Sequence, residues 1–221
     1  YAVQKNINIQ TGQPTILDFD MQRISQRINI VFNIRTEGNI KREDLAAPII
    51  ELSGACGRFN IADACLDTTR LYRMAHQVQP DEFTQTGEGT YRCVVHFHTL
   101  GVIPSAAKGH LNGPGILQVA LQVSTPQLDS SGAPVVDEEG NPVKNSRYIY
   151  GAINPYDELT AAQLIEVRDG KIYLRYSKED VNIEITTPLV IKADQIVPND
   201  TGMGWQPHDP TNPDDDIIIE I

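Results

Sequence analysis

Apolar and polar residues alternate with a period of two in short runs punctuated by turn formers, the pattern of strands with one face buried. The clearest run is residues 28–34, where Ile28, Ile30, Phe32 and Ile34 fall on one face and Asn29 and Asn33 on the other. Further strands are predicted at 49–52, 71–78, 91–98, 116–123, 147–152, 171–176, 181–185 and 188–191. Val3, Ile7 and Ile9 suggest an opening strand ended by Thr11-Gly12-Gln13-Pro14, with another extended stretch starting at Ile16. One short helix is predicted, capped by Asp157 and running from Glu158 through Leu159, Ala161, Ala162 and Leu164 to Ile165, where Leu and Ala favour helix. Asp169-Gly170 between extended segments predicts a type I′ hairpin, because both central residues need positive φ. A second turn, Glu139-Gly140-Asn141-Pro142, lies in a polar segment at 125–145 that is expected to form a flexible or two-stranded finger. About ten strands make the chain mostly β.

The segment 79–89 is polar and carries Pro80, Gly87 and Gly89, so it is read as the boundary between two β-sandwich domains, 1–84 and 85–221. No repeat relates the two halves. Residues 199–213 are too rich in Gly, Asn and Pro for a central strand and read as an extended connector. After Asp214-Asp215-Asp216 come Ile217-Ile218-Ile219-Glu220-Ile221, a terminal run of high β propensity. Ile217, Ile219 and Ile221 share one face. A strand so apolar must pair within its own sheet or with a neighbour's, since an exposed edge would aggregate.

The 221 residues are 40% hydrophobic, enough for a packed core, and 18 Lys+Arg against 29 Asp+Glu give a net charge of −11. That balance, with no basic run, argues against nucleic acid and anionic membrane as partners. No apolar stretch approaches the ~20 residues of a membrane helix. The chain opens at Tyr1 with neither an initiator Met nor a signal-like segment, so any export signal or lipid-attachment Cys is expected upstream of it. Cys56, Cys65 and Cys93 show no zinc-type spacing. A Cys56–Cys65 bridge stays open, but the odd count favours buried thiols.

His96 and His98, at i and i+2 of a strand, point to the same face and could share a metal. Two imidazoles are not a site, and the third ligand, His76 or His110, would have to come from elsewhere in the chain. The pair is read instead as a partly exposed sheet face with Phe97 in the core, and neither metal nor cofactor is expected. Asp209, Asn212 and Asp214 to Asp216 lack the spacing of a calcium loop, as do Asp137, Glu138 and Glu139 at the finger tip. There is no Gly-x-Ser-x-Gly motif, no protease-like Cys and no Gly-rich phosphate cradle before a helix. Trp205 is the single candidate sugar platform of tryptophan type. No enzyme is expected.

Arg23-Ile24-Ser25-Gln26-Arg27-Ile28-Asn29-Ile30 resembles the Arg-Leu-x-Ala-Lys-Val stretch of the Bacteroidales fimbrillin superfamily, the major, accessory and anchor subunits of type V pili, although Gln26 stands where a small residue is usual. Ile50-Glu51-Leu52-Ser53-Gly54-Ala55-Cys56-Gly57-Arg58-Phe59-Asn60 looks like that family's strand and Gly-rich turn, and the ending from Trp205 to Ile221 is similar to the close of its surface lipoproteins. The resemblance implies two transthyretin-like β-sandwich domains with Greek-key-type connections, export through a lipoprotein precursor, and a place at the outer membrane, cell surface or fimbrium of a Gram-negative bacterium. It implies no catalytic residue. The expected partners are other fimbrial subunits or host surface ligands. Engagement of neighbours is expected by strand pairing, with Ile217, Ile219 and Ile221 as the pairing residues of an accessory or anchor subunit; whether this tail pairs across chains or within its own sheet stays open, the latter being favoured for an accessory subunit or surface lipoprotein. The alternative is a surface module that binds glycan or host protein through the 104–115 loop or the 125–145 finger.

Overall fold

The alternating run around Ile28 to Ile34 forms the central strand of one of two sheets in the computed structural model, which describes residues 11–12, 23–38, 40–175, 178 and 180–208. The strands in chain order are β1 (Gln26–Glu37), β2 (Ile49–Asn60), β3 (Cys65–Gln77), β4 (Phe83–Gly87), β5 (Thr90–Thr99), β6 (Leu117–Pro126), β7 (Lys144–Ile153), β8 (Ile165–Arg168), β9 (Lys171–Leu174), β10 (Asp180–Lys192), β11 (Gln195–Ile196) and β12 (Gln206–Pro207). Among the described residues a single α-helix, α1 (Tyr156–Ala162), precedes β8. One sheet has the order β11-β10-β1-β5-β4 and the other β12-β7-β6-β2-β3-β9-β8. The fold is mostly β, two sheets with one short helix, as the alternation predicts.

The inward faces of both sheets contribute to one hydrophobic cluster. Ile28, Ile30, Phe32 and Ile34 of β1, Val95 and Phe97 of β5, and Ile183 and Ile185 of β10 join Ile50 and Leu52 of β2 and Leu117, Val119 and Leu121 of β6. Each such side chain, taken fully out of water, stabilises the fold by roughly 1.5–3 kcal/mol before ordering costs.

The division expected at 84/85 does not separate these sheets, because it falls inside β4 and each sheet takes strands from both sides of it. The Pro and Gly residues that suggested a linker make tight turns instead. Glu82 N–H donates to Gln79 O at 3.0 Å across Pro80-Asp81, a β-turn with Pro at its second position. Gly87 to Gly89 then close the β4–β5 hairpin, with Gly87 opposite Thr90. β1 pairs antiparallel with β5 and parallel with β10, so residues near both ends of the described chain meet at the middle of one sheet. The two strands predicted at 181–185 and 188–191 form one strand, β10, with a register irregularity where Pro188, lacking a donor, is accommodated.

The Gly-rich stretch of β2 is a bulged strand rather than a turn. Gly54 has φ +83°, and the register against β3 shifts between Leu52 and Ala55. Before the bulge β2 pairs with β6; beyond it Cys56 N–H donates to Gly101 O (2.9 Å) and Ile103 N–H to Gly54 O (2.9 Å). α1 starts earlier than predicted: Asp157 lies within its first turn and pairs with Lys108 Nζ at 2.6 Å instead of capping. Gln163, in the left-handed region at φ +51°, ends the helix. Asp169 and Gly170 have φ +48° and +71°, as a type I′ turn requires.

The opening strand, the stretch from Ile16, the acidic run at 214–216 and the strand-pairing residues Ile217, Ile219 and Ile221 lie outside the described residues. Among the described residues no helix is long and apolar enough to cross a membrane.

Candidate functional site

β5 carries His96 and His98 on the outward face of its sheet while Phe97 enters the core. His76, at the end of β3, does arrive beside His96, but Glu82 from the β3–β4 turn stands between them. His76 Nε2–H donates to Glu82 Oε2 at 2.8 Å, and His96 Nε2 is 3.6 Å from Glu82 Oε1. The Gln79 amide donates to the same Oε2 at 2.8 Å. Asn29 gives its amide hydrogen to Asn182 Oδ1 (2.8 Å), so its oxygen accepts from His96 Nδ1 (2.7 Å). Burial, followed by the positive charge of Arg27, lowers the His96 pKa against the opposing pull of Glu82. Burial alone would raise Glu82, but the His76 and Gln79 hydrogen bonds and the charges on the two imidazoles together hold it below the ordinary value. This arrangement ties β3 of one sheet to β5 of the other through the turn that connects β3 to β4. His98 is exposed, and His110 lies in the 104–115 loop with Ser105, Asn112 and Pro114. Among the described residues no group of three or more His, Cys, Asp or Glu is placed to hold a metal ion.

The finger between β6 and β7 is held by turn and bridge hydrogen bonds whose pattern follows a repeat in the sequence. Leu128-Asp129-Ser130-Ser131-Gly132-Ala133-Pro134-Val135 is followed directly by Val136-Asp137-Glu138-Glu139-Gly140-Asn141-Pro142-Val143. Asp129 Oδ1 accepts from the Ser131 and Ala133 amides, and Asp137 Oδ1 from the Glu139 and Asn141 amides, so the two turns are built alike. Equivalent positions then close a ring: Gln127 N–H donates to Val143 O, Val143 N–H to Val135 O, and Val135 N–H to Gln127 O, each at 2.8 Å. Lys144 anchors the base of the finger on buried Asp44 at 2.6 Å. The signal was present as Asp-x-x-Gly-x-Pro-Val recurring after eight residues. Leu128 and Val136, at matching positions, remain exposed.

Trp205 is unavailable as a sugar platform because it is buried against Phe32, ring centroids 5.2 Å apart, with its indole N–H donating to Thr187 O at 3.0 Å. All three cysteines are buried free thiols. The Cys56–Cys65 bridge is ruled out by register, since Cys56 lies opposite Leu71 and Cys65 opposite Asn60. Burial pushes the thiols of Cys56 and Cys93 up to about 12, far from the thiolate a nucleophile needs.

The outer face of the larger sheet holds a partly open cavity of about 220 Å³ with a mixed polar and apolar lining. Ile49 and Ala120 give it an apolar floor, and Glu51, Arg73, Gln118, Tyr150 and His208 surround it. Glu51 Oε2 and Arg73 Nη1 are 4.0 Å apart. Gln118 points outward yet is only 8% exposed, because His208 covers it: the Gln118 amide nitrogen is 2.8 Å from His208 Nε2, and His208 N–H donates to Tyr150 O at 2.9 Å. Tyr148 stacks beside Tyr150, centroids 6.3 Å apart and planes at 25°. These residues come from β2, β3, β6, β7 and the residue after β12, so no stretch of sequence shows them together.

Compared with protein-family models, curated proteins and solved structures, the chain matches none.

Proposed function

We propose that the protein is a non-enzymatic structural or adhesive protein of the bacterial cell surface, of the fimbrillin kind, acting as an accessory or anchor subunit that engages its neighbours by strand pairing. The observation that carries this reading is the state of the sheet edges. The smaller sheet ends on β4, whose Thr84 to Gly87 are exposed, and the larger on β8, whose Val167 is 66% exposed; neither has a strand partner on its outer side among the described residues. An added strand would gain backbone hydrogen bonds at either edge, with alternate side chains fixing register. Ile217, Ile219 and Ile221 supply an apolar strand of that kind, and burying three Ile side chains at ~1.5–3 kcal/mol each amounts to several kcal/mol before ordering costs. The charge of −11 suits partners other than nucleic acid.

Sedimentation velocity across a concentration series tests the proposal. The full chain is expected to associate with rising concentration, and deletion of Ile217 to Ile221 to abolish association with the thermal midpoint kept. A full chain that stays monomeric, or a deletion that unfolds the protein, would overturn strand pairing between chains. A second reading, a surface module that binds glycan or host protein, is favoured by the partly open cavity on the larger sheet.

A further inference from the structure

The cavity on the outer face of the larger sheet has a lining that selects among ligand chemistries. Glu51 and Arg73 oppose each other at 4.0 Å, so their charges compensate, which favours a neutral ligand over an anion or a cation. Around the rim, acceptors and donors alternate: the Glu51 carboxylate accepts and the Arg73 guanidinium donates in a planar fork. The Gln118 amide nitrogen is held by His208, and the Gln118 oxygen has no hydrogen-bond partner among the described residues. A hydroxyl both donates and accepts, so a ring bearing adjacent hydroxyls can satisfy such a rim where a purely accepting or donating ligand cannot. The floor of Ile49 and Ala120 and the ring of Tyr150 offer an apolar wall for the C–H face of such a ring.

Size narrows the class further. About 220 Å³ lies below the ~300–1,000 Å³ of pockets for drug-sized ligands. That is room for one sugar ring with its hydroxyls, and not for several residues of a polymer. The lining comes largely from cross-strand pairs of β2, β6 and β7, with Ile49 opposite Ala120, Glu51 opposite Gln118 and Ala120 opposite Tyr150, so it is preorganised and little ordering cost is left for binding.

We propose that this cavity is a carbohydrate subsite that takes one neutral monosaccharide unit, the terminal residue of a glycan, with Tyr150 as its platform and Glu51, Arg73 and Gln118 as its hydroxyl partners. The assignment rests on the binding-module reading and names a different place for binding from the 104–115 loop and the 125–145 finger.

The test is titration of the full chain, followed by amide chemical shifts, with methyl glycosides of neutral hexoses and N-acetylhexosamines up to tens of millimolar. A glycan array runs in parallel on the same protein. At least one glycoside is expected to saturate at about millimolar Kd, with shifts centred on Gln118, Ala120 and Tyr150. Glu51→Gln is isosteric and half-exposed, and is expected to weaken binding about tenfold with an unchanged thermal midpoint. Tyr150→Ala is expected to abolish it. If array binding persists while both variants bind as the parent does, the cavity assignment fails and the module reading stands. If neither glycosides nor array glycans bind, both fail.

Discussion

Trp205 offers the sharpest test of how the C-terminal part of the described chain joins the body. It is the only tryptophan, it is 1% exposed, it packs on Phe32 from the opposite end of the sequence, and its N–H serves Thr187 O at the irregular point of β10. Trp205→Ala removes a large buried ring, a change that costs about 3–5 kcal/mol, and orphans a carbonyl for about 1 kcal/mol more. A loss of about 4–6 kcal/mol is a large part of the ~5–15 kcal/mol by which domains are stable. With a urea slope of about 2–3 kcal/mol/M for a chain of this size, the midpoint should fall by about 1.5–3 M. Far-UV circular dichroism reads it without the lost fluorophore. Trp205→Phe keeps a ring against Phe32 and loses the N–H, so its midpoint should fall by less than about 1 M. A Trp205→Ala midpoint within a few tenths of a molar of the parent would show that residues 199–208 do not pack on the core, and would refute the β12–β7 edge with them.

Gly54→Ala would place a methyl 2.6 Å from Ile103 O and 2.7 Å from Gly115 N at a backbone φ of +83°, so a cost of about 2–3 kcal/mol is expected in thermal unfolding, against about 1 kcal/mol for Ala at Gly132, where φ is likewise +83° but no atom lies within 4 Å. Stability should decline in acid in two stages. His96 has its pKa lowered below 6.5 by folding, so the unfolded chain binds the proton first and stability falls as pH drops below about 6.5. Glu82, lowered below 4.5, contributes stability that is lost as pH falls through its folded pKa. Glu82→Gln should flatten that lower limb in pH-dependent urea titrations, and an unchanged limb would remove Glu82 from the account. Cys56, Cys65 and Cys93 should be silent to a thiol reagent in the folded protein, with three equivalents reacting in denaturant. Fewer than three would indicate a disulfide.

What the sequence disclosed was local. Ile28, Ile30, Phe32 and Ile34 alternate because one face of β1 meets the core, and Asp169-Gly170 reads as a turn because its backbone demands positive φ. Pairing was not legible. Gln79 to Gly89 look like a linker in composition, yet the same residues suit a Pro turn and a hairpin, and only the neighbouring strands decide between them. The meeting of His76, Glu82 and His96 needs two sheets to be stacked first. Likewise, Glu51, Arg73, Gln118 and Tyr150 alternate with core residues and read as ordinary solvent-facing positions of four separate strands. The finger is the exception, because its eight-residue recurrence was visible without any tertiary contact.

The parallel pairing of β1 with β10 sets a timetable for synthesis. β1 leaves the ribosome about 155 residues before the end of β10, which at ~5–20 residues/s is roughly 8–30 s during which one flank of the smaller sheet's middle strand has nothing to bond. Through that interval the nascent polypeptide stays open to chaperones.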